Sequence, residues 1–440
     1  MTPARSSSSR TSPSGMTLVE MLVATTAALI LLGIVAQLFS VLGRGVSNNT
    51  NVQTLNSQIR GVAQMLRRDL DGITAPTLPP LKPAADAGYL EIIEGPQSDG
   101  TIGLYSAEGD CDDVVLFTSR NMSEPFIGRF ESLNFESQTA EIAWFCKPSP
   151  SQLFLANTPP LTLHTLYRRQ LLVASYIGTG QFCASGRANC MPFGSWPTFF
   201  DSYDISCRRE GGVLVPNSLG DLTKRENRFL RDGTSFPYDF PGSGSAGATF
   251  SSGSNREGDD IVLTNVIGFD IRVFDPKAPI KTVSSVAVGP SDRGYSAGST
   301  SGSTGAYVDL NWDSGLTNAI LGTAAFPPSG QTAFQGRGVS VRAGSSALAV
   351  TNPTYDTWST HYEFDGLDQG NGPGISAGTI DEGTDGLDNN ADGVVDDAGE
   401  LETSPPYPAP LRGLEIRIRC IEPSSRQVRQ ITVRHSFVPQ

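Results

Sequence analysis

The chain has 440 residues, room for about two to four ordinary domains. Hydrophobic residues make up 38% and charged residues 18%, which permits a core, while 47 Gly and 30 Pro argue against an all-helical or coiled-coil protein. Forty-five acidic against 32 basic residues leave a formal net charge of −13, which repels phosphate backbones and disfavours nucleic acid as a partner.

Residues 1–15 carry Arg5 and Arg10, no acid, and many Ser and Pro, so they read as a short basic leader with no reason to fold. The apolar stretch that follows has no charge from Met21 to Leu42. That matches the ~20 residues that cross a ~30 Å bilayer core as a helix. Glu20 sits at the head of this stretch, where an unpaired carboxylate costs a few kcal/mol in lipid. A cut after Gly15 frees the amine of Met16, and an amine with a carboxylate four residues on suits pairing between neighbouring subunits in a bundle. A plain signal peptide has a shorter apolar region with its cleavage site after it.

Gly15-Met16-Thr17-Leu18-Val19-Glu20 and the apolar run behind it resemble the prepilin cleavage and methylation motif of type IV pilins and type II secretion pseudopilins. The resemblance implies that a prepilin peptidase cuts after Gly15 and methylates Met16. It implies that Glu20 pairs with a neighbour's N-terminal amine during assembly at an inner-membrane platform. Partners are then other major and minor pilins or pseudopilins, met through the N-terminal helix.

Beyond Leu42 the sequence turns polar but keeps a helical rhythm. Val52, Leu55, Ile59, Val62, Leu66, Leu70 and Ile73 recur at intervals of three and four, one apolar stripe on a helix. Arg60, Arg67, Arg68, Asp69 and Asp71 mostly fall off that stripe, and Pro76, Pro79, Pro80 and Pro83 stop the helix. A helix from about Glu20 to Ile73 is about 80 Å long at ~1.5 Å per residue.

Strand patterns follow at 113–118, 141–146, 165–173, 260–263 and 266–274. At the C-terminus, residues 414–421 alternate apolar and charged, Pro423-Ser424-Ser425 turns the chain, and Val428, Ile431 and Val433 lie on a returning run, an antiparallel hairpin. These segments resemble PilW-like minor pilins and the related J-type minor pseudopilins. The resemblance implies a structural role in priming or capping a filament, without catalysis. The expected fold is α+β: a long N-terminal transmembrane and amphipathic α-helix packed on an antiparallel β-sheet head with long loop insertions. The expected divisions are a leader at 1–15, a membrane or filament-core helix at 16–43, an amphipathic helix at 44–75 and a head at 84–440. Insertions fall at about 183–258, 285–306 and 356–410. The Gly/Ser-rich stretches 241–258 and 285–306 read as flexible.

Three chemical features remain. The six Cys all follow the apolar span, an even number that suits disulfides on an exported side. Cys183 and Cys190 can bridge locally; Cys111, Cys146 and Cys420 lie at or near strands and can pair with one another or with Cys207, with the connectivity open. Asp388-x-Asn390-x-Asp392-Gly393 matches the first half of a calcium loop, with Val394 offering its carbonyl and Asp396 and Glu400 as further ligands. Glu400 is thirteenth rather than twelfth in the loop, so the match departs from the EF-hand. The three His residues (His164, His361 and His435) lie far apart, and no Ser/His/Asp, Cys/His or paired-carboxylate constellation stands out, so an enzyme is not expected. A basic patch of Arg417, Arg419, Arg426, Arg429 and Arg434 could form on one sheet face.

Overall fold

A computed structural model describes residues 17–75, 87–95, 108–154, 160–177, 196–210, 213–223, 227–229, 256, 258–310, 312, 339–344, 347–357, 362–363, 393, 402–403 and 411–437. The chain divides into two compact units, Met1–Leu55 and Asn56–Gln440.

Helix α1 runs from Leu18 to Asp71, 54 residues. Its N-terminal part, Leu18–Ser40, has a mean hydropathy of 2.4, with none of its surface buried inside the chain. It is long and apolar enough to cross a membrane. Thr25 and Thr26 satisfy their hydroxyls locally, donating to the carbonyls of Met21 and Leu22 at 2.6–3.0 Å. That removes the cost of bare polar groups on an apolar helix.

In the second unit, the last four turns of α1 bury Ile59, Val62, Ala63, Leu66 and Leu70 and leave Arg60, Arg67 and Arg68 exposed. The stripe expected from the spacing is therefore the face that packs. Asp69, placed off that stripe by the sequence pattern, is buried as well. Its carboxylate accepts hydrogen bonds from Trp144 Nε1 at 3.0 Å and from Arg168 Nε and Nη2 at 2.6 and 2.8 Å.

Strands β1 (Leu90–Ile93) and β2 (Val114–Arg120) precede a small hairpin of β3 (Phe126–Phe130) and β4 (Leu133–Ser137). The long hairpin of β5 (Thr139–Leu153) and β6 (Leu161–Leu172) comes next. A short helix, Trp196–Ser202, and a ribbon of β7 (Cys207–Glu210) and β8 (Val213–Pro216) lead to the longest strand, β9 (Ile261–Val283). β10 (Val286–Val288) and β11 (Ser299–Val308) fold back onto β9. β12 (Val339–Gly344), β13 (Ala347–Asp356), β14 (Tyr362–Glu363), β15 (Glu402–Thr403) and the hairpin of β16 (Gly413–Glu422) and β17 (Gln427–Ser436) complete the order.

Eleven of these strands form one sheet, ordered β12-β13-β1-β2-β5-β6-β9-β16-β17 with β10 and β11 attached to β9. Its pairings are antiparallel. The fold is thus mixed α+β, as expected, with the sheet as the larger part. The central strands are covered on both faces. Trp144 points to the helix end through Asp69, while Glu141, on the opposite side of the pleat, meets Ser206 and the backbone N of Phe229. Described residues between 196 and 229 therefore contribute to the core, with Phe199, Phe200, Ile205, Leu214, Leu222 and Phe229 buried.

Two expectations change. The pairs of apolar runs at 260–263 and 266–274 are one strand, β9, which continues past both. The segment 285–306, expected to be flexible, forms β10 and β11 against β9. Most of β11 is exposed, so its Ser, Thr and Gly side chains need no apolar alternation; backbone pairing and bonds such as Ser301 Oγ to the Ile280 carbonyl at 2.6 Å hold it.

Candidate assembly site

The start of α1 is built around Glu20. Its Oε2 accepts hydrogen bonds from the Thr17 backbone N at 2.8 Å and from Thr17 Oγ1 at 2.9 Å. In return, the Glu20 backbone N donates to Thr17 Oγ1 at 3.3 Å. Thr17-x-x-Glu20 is thus a capping box, which satisfies two of the free N–H groups that any helix start presents. A carboxylate in the first turn also faces the positive end of the helix dipole. Glu20 is the sole charge between Leu18 and Ser40, and the segment exposes apolar side chains along its length: Leu18 is 82% accessible, Leu31 65% and Phe39 67%. So large a continuous apolar surface marks a membrane or protein contact. Gly15 and Met16 lie outside the described residues.

Of the residues expected to form a calcium loop, Asp388, Asn390, Asp392, Val394, Asp396 and Glu400 lie outside the described residues. Gly393 alone is described; it is exposed and has φ of 96°, the left-handed turn that a glycine allows at this point of such a loop. Cys183 and Cys190 also lie outside. Cys111, Cys146, Cys207 and Cys420 are buried free thiols. Cys111 and Cys146 are neighbours, and burial followed by that proximity pushes the Cys111 thiol well up. Burial pushes Cys420 up to about 12. Such thiols stay protonated at neutral pH and are poor nucleophiles. Cys207, on the β7–β8 ribbon, and Cys420, on β16, stand on separate elements.

Two members of the basic patch, Arg417 and Arg434, are paired with acids. Glu415 is fully buried and accepts from Arg417 Nε and Arg434 Nε, both at 2.6 Å, and Arg417 also reaches Asp292 at 2.8 Å. Arg419 donates to Gln430 Oε1 at 2.9–3.0 Å.

What the sequence did not reveal is how much charge the head buries. Arg228 is completely buried, with its guanidinium 4.0 Å from the centre of the Tyr89 ring. It donates to Glu91 at 2.9 Å, to both oxygens of Asp356 at 2.7 and 3.0 Å, and to the carbonyls of Leu222 and Thr223 at 3.2 Å. Glu91 and Asp356 are direct partners across β1 and β13. Two carboxylates so placed repel, and Arg228 is the cation that makes the pairing tolerable. A second group of acids, Glu94, Asp110, Asp113, Asp270 and Asp309, meets beside Arg272. Its one sequence signal is Asp110-Cys111-Asp112-Asp113, three acids in four residues at the entrance to a strand.

Compared with known proteins, the chain has no significant match to a family model, a curated protein or a solved structure.

Proposed function

We propose that this chain is a filament subunit of the pilin and pseudopilin class: a minor pilin that initiates, primes or caps a type IV pilus, structural rather than catalytic. The observation that carries the reading is the division of labour within α1. Its first 23 residues are apolar, unburied by their own chain and charged only at Glu20, whereas its last turns serve the head. An apolar helix with a single capped acid at its start suits two environments in turn, a bilayer and then a bundle of similar helices from neighbouring subunits. In that bundle the amine freed at Met16 replaces Thr17 as the partner of Glu20. Cleavage after Gly15 by a prepilin peptidase, methylation of Met16, and an inner-membrane anchor with the C-terminal head exported follow from this reading. Calcium at Asp388–Glu400 and a Cys183–Cys190 bridge belong to the same exported head.

A minor pseudopilin of a type II secretion system shares the same stem. The size of the head, with the ribbon β7–β8 beside the sheet and β10 and β11 added to it on β9, favours surface recognition and so also a filament-displayed adhesin.

The test is deletion of the gene with complementation. The pilin reading expects few surface pili at normal levels of major pilin. It also expects rescue by the wild-type chain but not by Gly15→Leu, whose leader mass spectrometry should find still attached. A block in exoprotein release with normal piliation selects the pseudopilin reading. Normal piliation and normal secretion, or a processed Gly15→Leu chain, count against the class.

A further inference from the structure

The sheet parts along one edge of β9. β6 pairs with the start of this strand, up to Val266, and β11 takes over at Val273. Between them the segment before β2 lies along the open edge. Gly109 N donates to the Ile267 carbonyl at 2.6 Å, Phe269 N donates to the Asp110 carbonyl at 2.5 Å, and Ile271 N donates to Asp113 Oδ2 at 2.7 Å. The approach favours glycine: a Cβ on Gly109 would lie 3.1 Å from the Ile267 carbonyl oxygen and 3.2 Å from Gly268 Cα.

This gap collects acids from three places. Glu94 follows the end of β1, Asp110 stands before β2, and Asp309 follows the end of β11. One carboxylate oxygen from each of the three lies within 4.8 Å of the other two, and all three residues are at least 96% buried. A second trio, Asp110, Asp112 and Asp113, shares Asp110 with the first. A Cβ at Gly95 would collide with the Asp112 carboxylate, so that glycine makes room for the acid.

The hydrogen bonds in the gap satisfy only part of these groups. Asp113 accepts from Gly95 N at 3.1 Å and from Ile271 N at 2.7 Å, so both of its oxygens are used. Glu94 Oε2 accepts from Leu310 N at 3.1 Å, and Asp110 Oδ1 accepts from Asp112 N at 3.3 Å. Glu94 Oε1 and Asp110 Oδ2, both fully enclosed, find no hydrogen-bond donor among the described residues. A buried, unsatisfied carboxylate oxygen is costly, and two pointing into one group of acids call for a cation. Arg272 does not supply it. Its guanidinium reaches Asp309 at 3.2 Å but is divided among Asp270, Asp292 and the Ser291 carbonyl.

We propose that Glu94, Asp110 and Asp309 hold a divalent metal ion, and that the ion is calcium. Oxygens bound to one calcium at ~2.4 Å can be no more than about 4.8 Å apart, and this trio meets that limit. The donors are hard carboxylate oxygens without imidazole or thiolate, a set suited to calcium rather than zinc or copper. Their irregular disposition from three strand ends suits calcium better than magnesium, which demands near-octahedral geometry. Burial, followed by mutual repulsion, pushes the Glu94 and Asp110 carboxyls well above the usual range. The ion ties the ends of β1 and β11 to the entrance of β2 and closes the gap in the sheet. This site is independent of the Asp388–Glu400 loop and of the filament reading.

The experiment uses the full chain in detergent, stripped with chelator and titrated with calcium chloride alone. Three chains are compared: wild type, a loop variant (Asp388→Ala with Asp392→Ala), and the loop variant carrying in addition Glu94→Gln with Asp110→Asn. The loop variant is expected to retain at least one calcium per chain by elemental analysis, and to melt about 3 °C or more higher at saturating calcium. The chain with Glu94→Gln and Asp110→Asn added is expected to lose that ion and the shift. The proposal is overturned if the loop variant binds no calcium, or if the Glu94/Asp110 variant keeps the same ion and shift. Infrared spectroscopy of the loop variant supplies a readout independent of the folding of the Glu94/Asp110 variant. Its carboxylate stretching bands should shift when calcium is added to the stripped protein, and bands unchanged at saturation also overturn the site.

Discussion

Arg228 shows how a single residue can decide whether the head closes. Its five N–H groups are all engaged, and both acids it neutralises lie on adjacent strands. Replacement by Met leaves Glu91 and Asp356 facing each other in the core without a counter-charge. The expected cost is about 3–5 kcal/mol, read from urea denaturation of the purified protein. Arg228→Lys should recover only part of it, because an ammonium cannot present the forked donors that reach Asp356, Glu91 and two carbonyls together. A variant as stable as wild type would show that the two carboxylates find another partner. None of this was legible in the sequence. Arg228 lies in a stretch with little periodicity, and its partners are 137 and 128 residues away. Glu20 is the opposite case: its pattern with Thr17 is local, so the capping box can be read from four consecutive residues.

Among the elements, α1 was the most legible. Helical spacing is set by the chain itself, and Ile59, Val62, Leu66 and Leu70 mark the packed face as their intervals require. Leu66→Ala should therefore cost the head about 2–5 kcal/mol by denaturant unfolding. Leu31→Ala, at 65% exposure, should leave that stability unchanged. Equal effects from the two would contradict the division of the helix. The alternating hairpin β16–β17 was equally clear, with Leu414, Ile416 and Ile418 inward. The strands that were missed had other reasons. β1 is four residues long and carries Glu91 in a fully buried position, which no hydrophobic pattern would assign. β11 is the reverse, a polar strand held by its backbone, so composition read it as flexible.

At the scale of the whole molecule, the low hydrophobic fraction resolves into two compartments. Apolar residues are concentrated in a helix segment that the chain leaves unburied, and the head compensates with buried ion pairs and carboxylates. Because Leu18–Ser40 buries nothing inside the chain, removing residues 1–40 should leave the melting temperature of the head within about 1 °C of the full protein's, while abolishing its need for detergent. A large loss of stability would mean that the segment supports the head after all. The sheet carries a different consequence, one of timing. β1 is an inner strand, third in the order, with β13 as one neighbour, and the Leu90 backbone N donates to Thr357 Oγ1, 267 residues downstream. At the usual ~5–20 residues per second, synthesis of that interval takes roughly 15–50 s. Throughout it the membrane-length helix is already made while the central strands wait with an open edge. The head is thus a late-closing fold, exposed during its own production to any partner that can add a strand or hold one back.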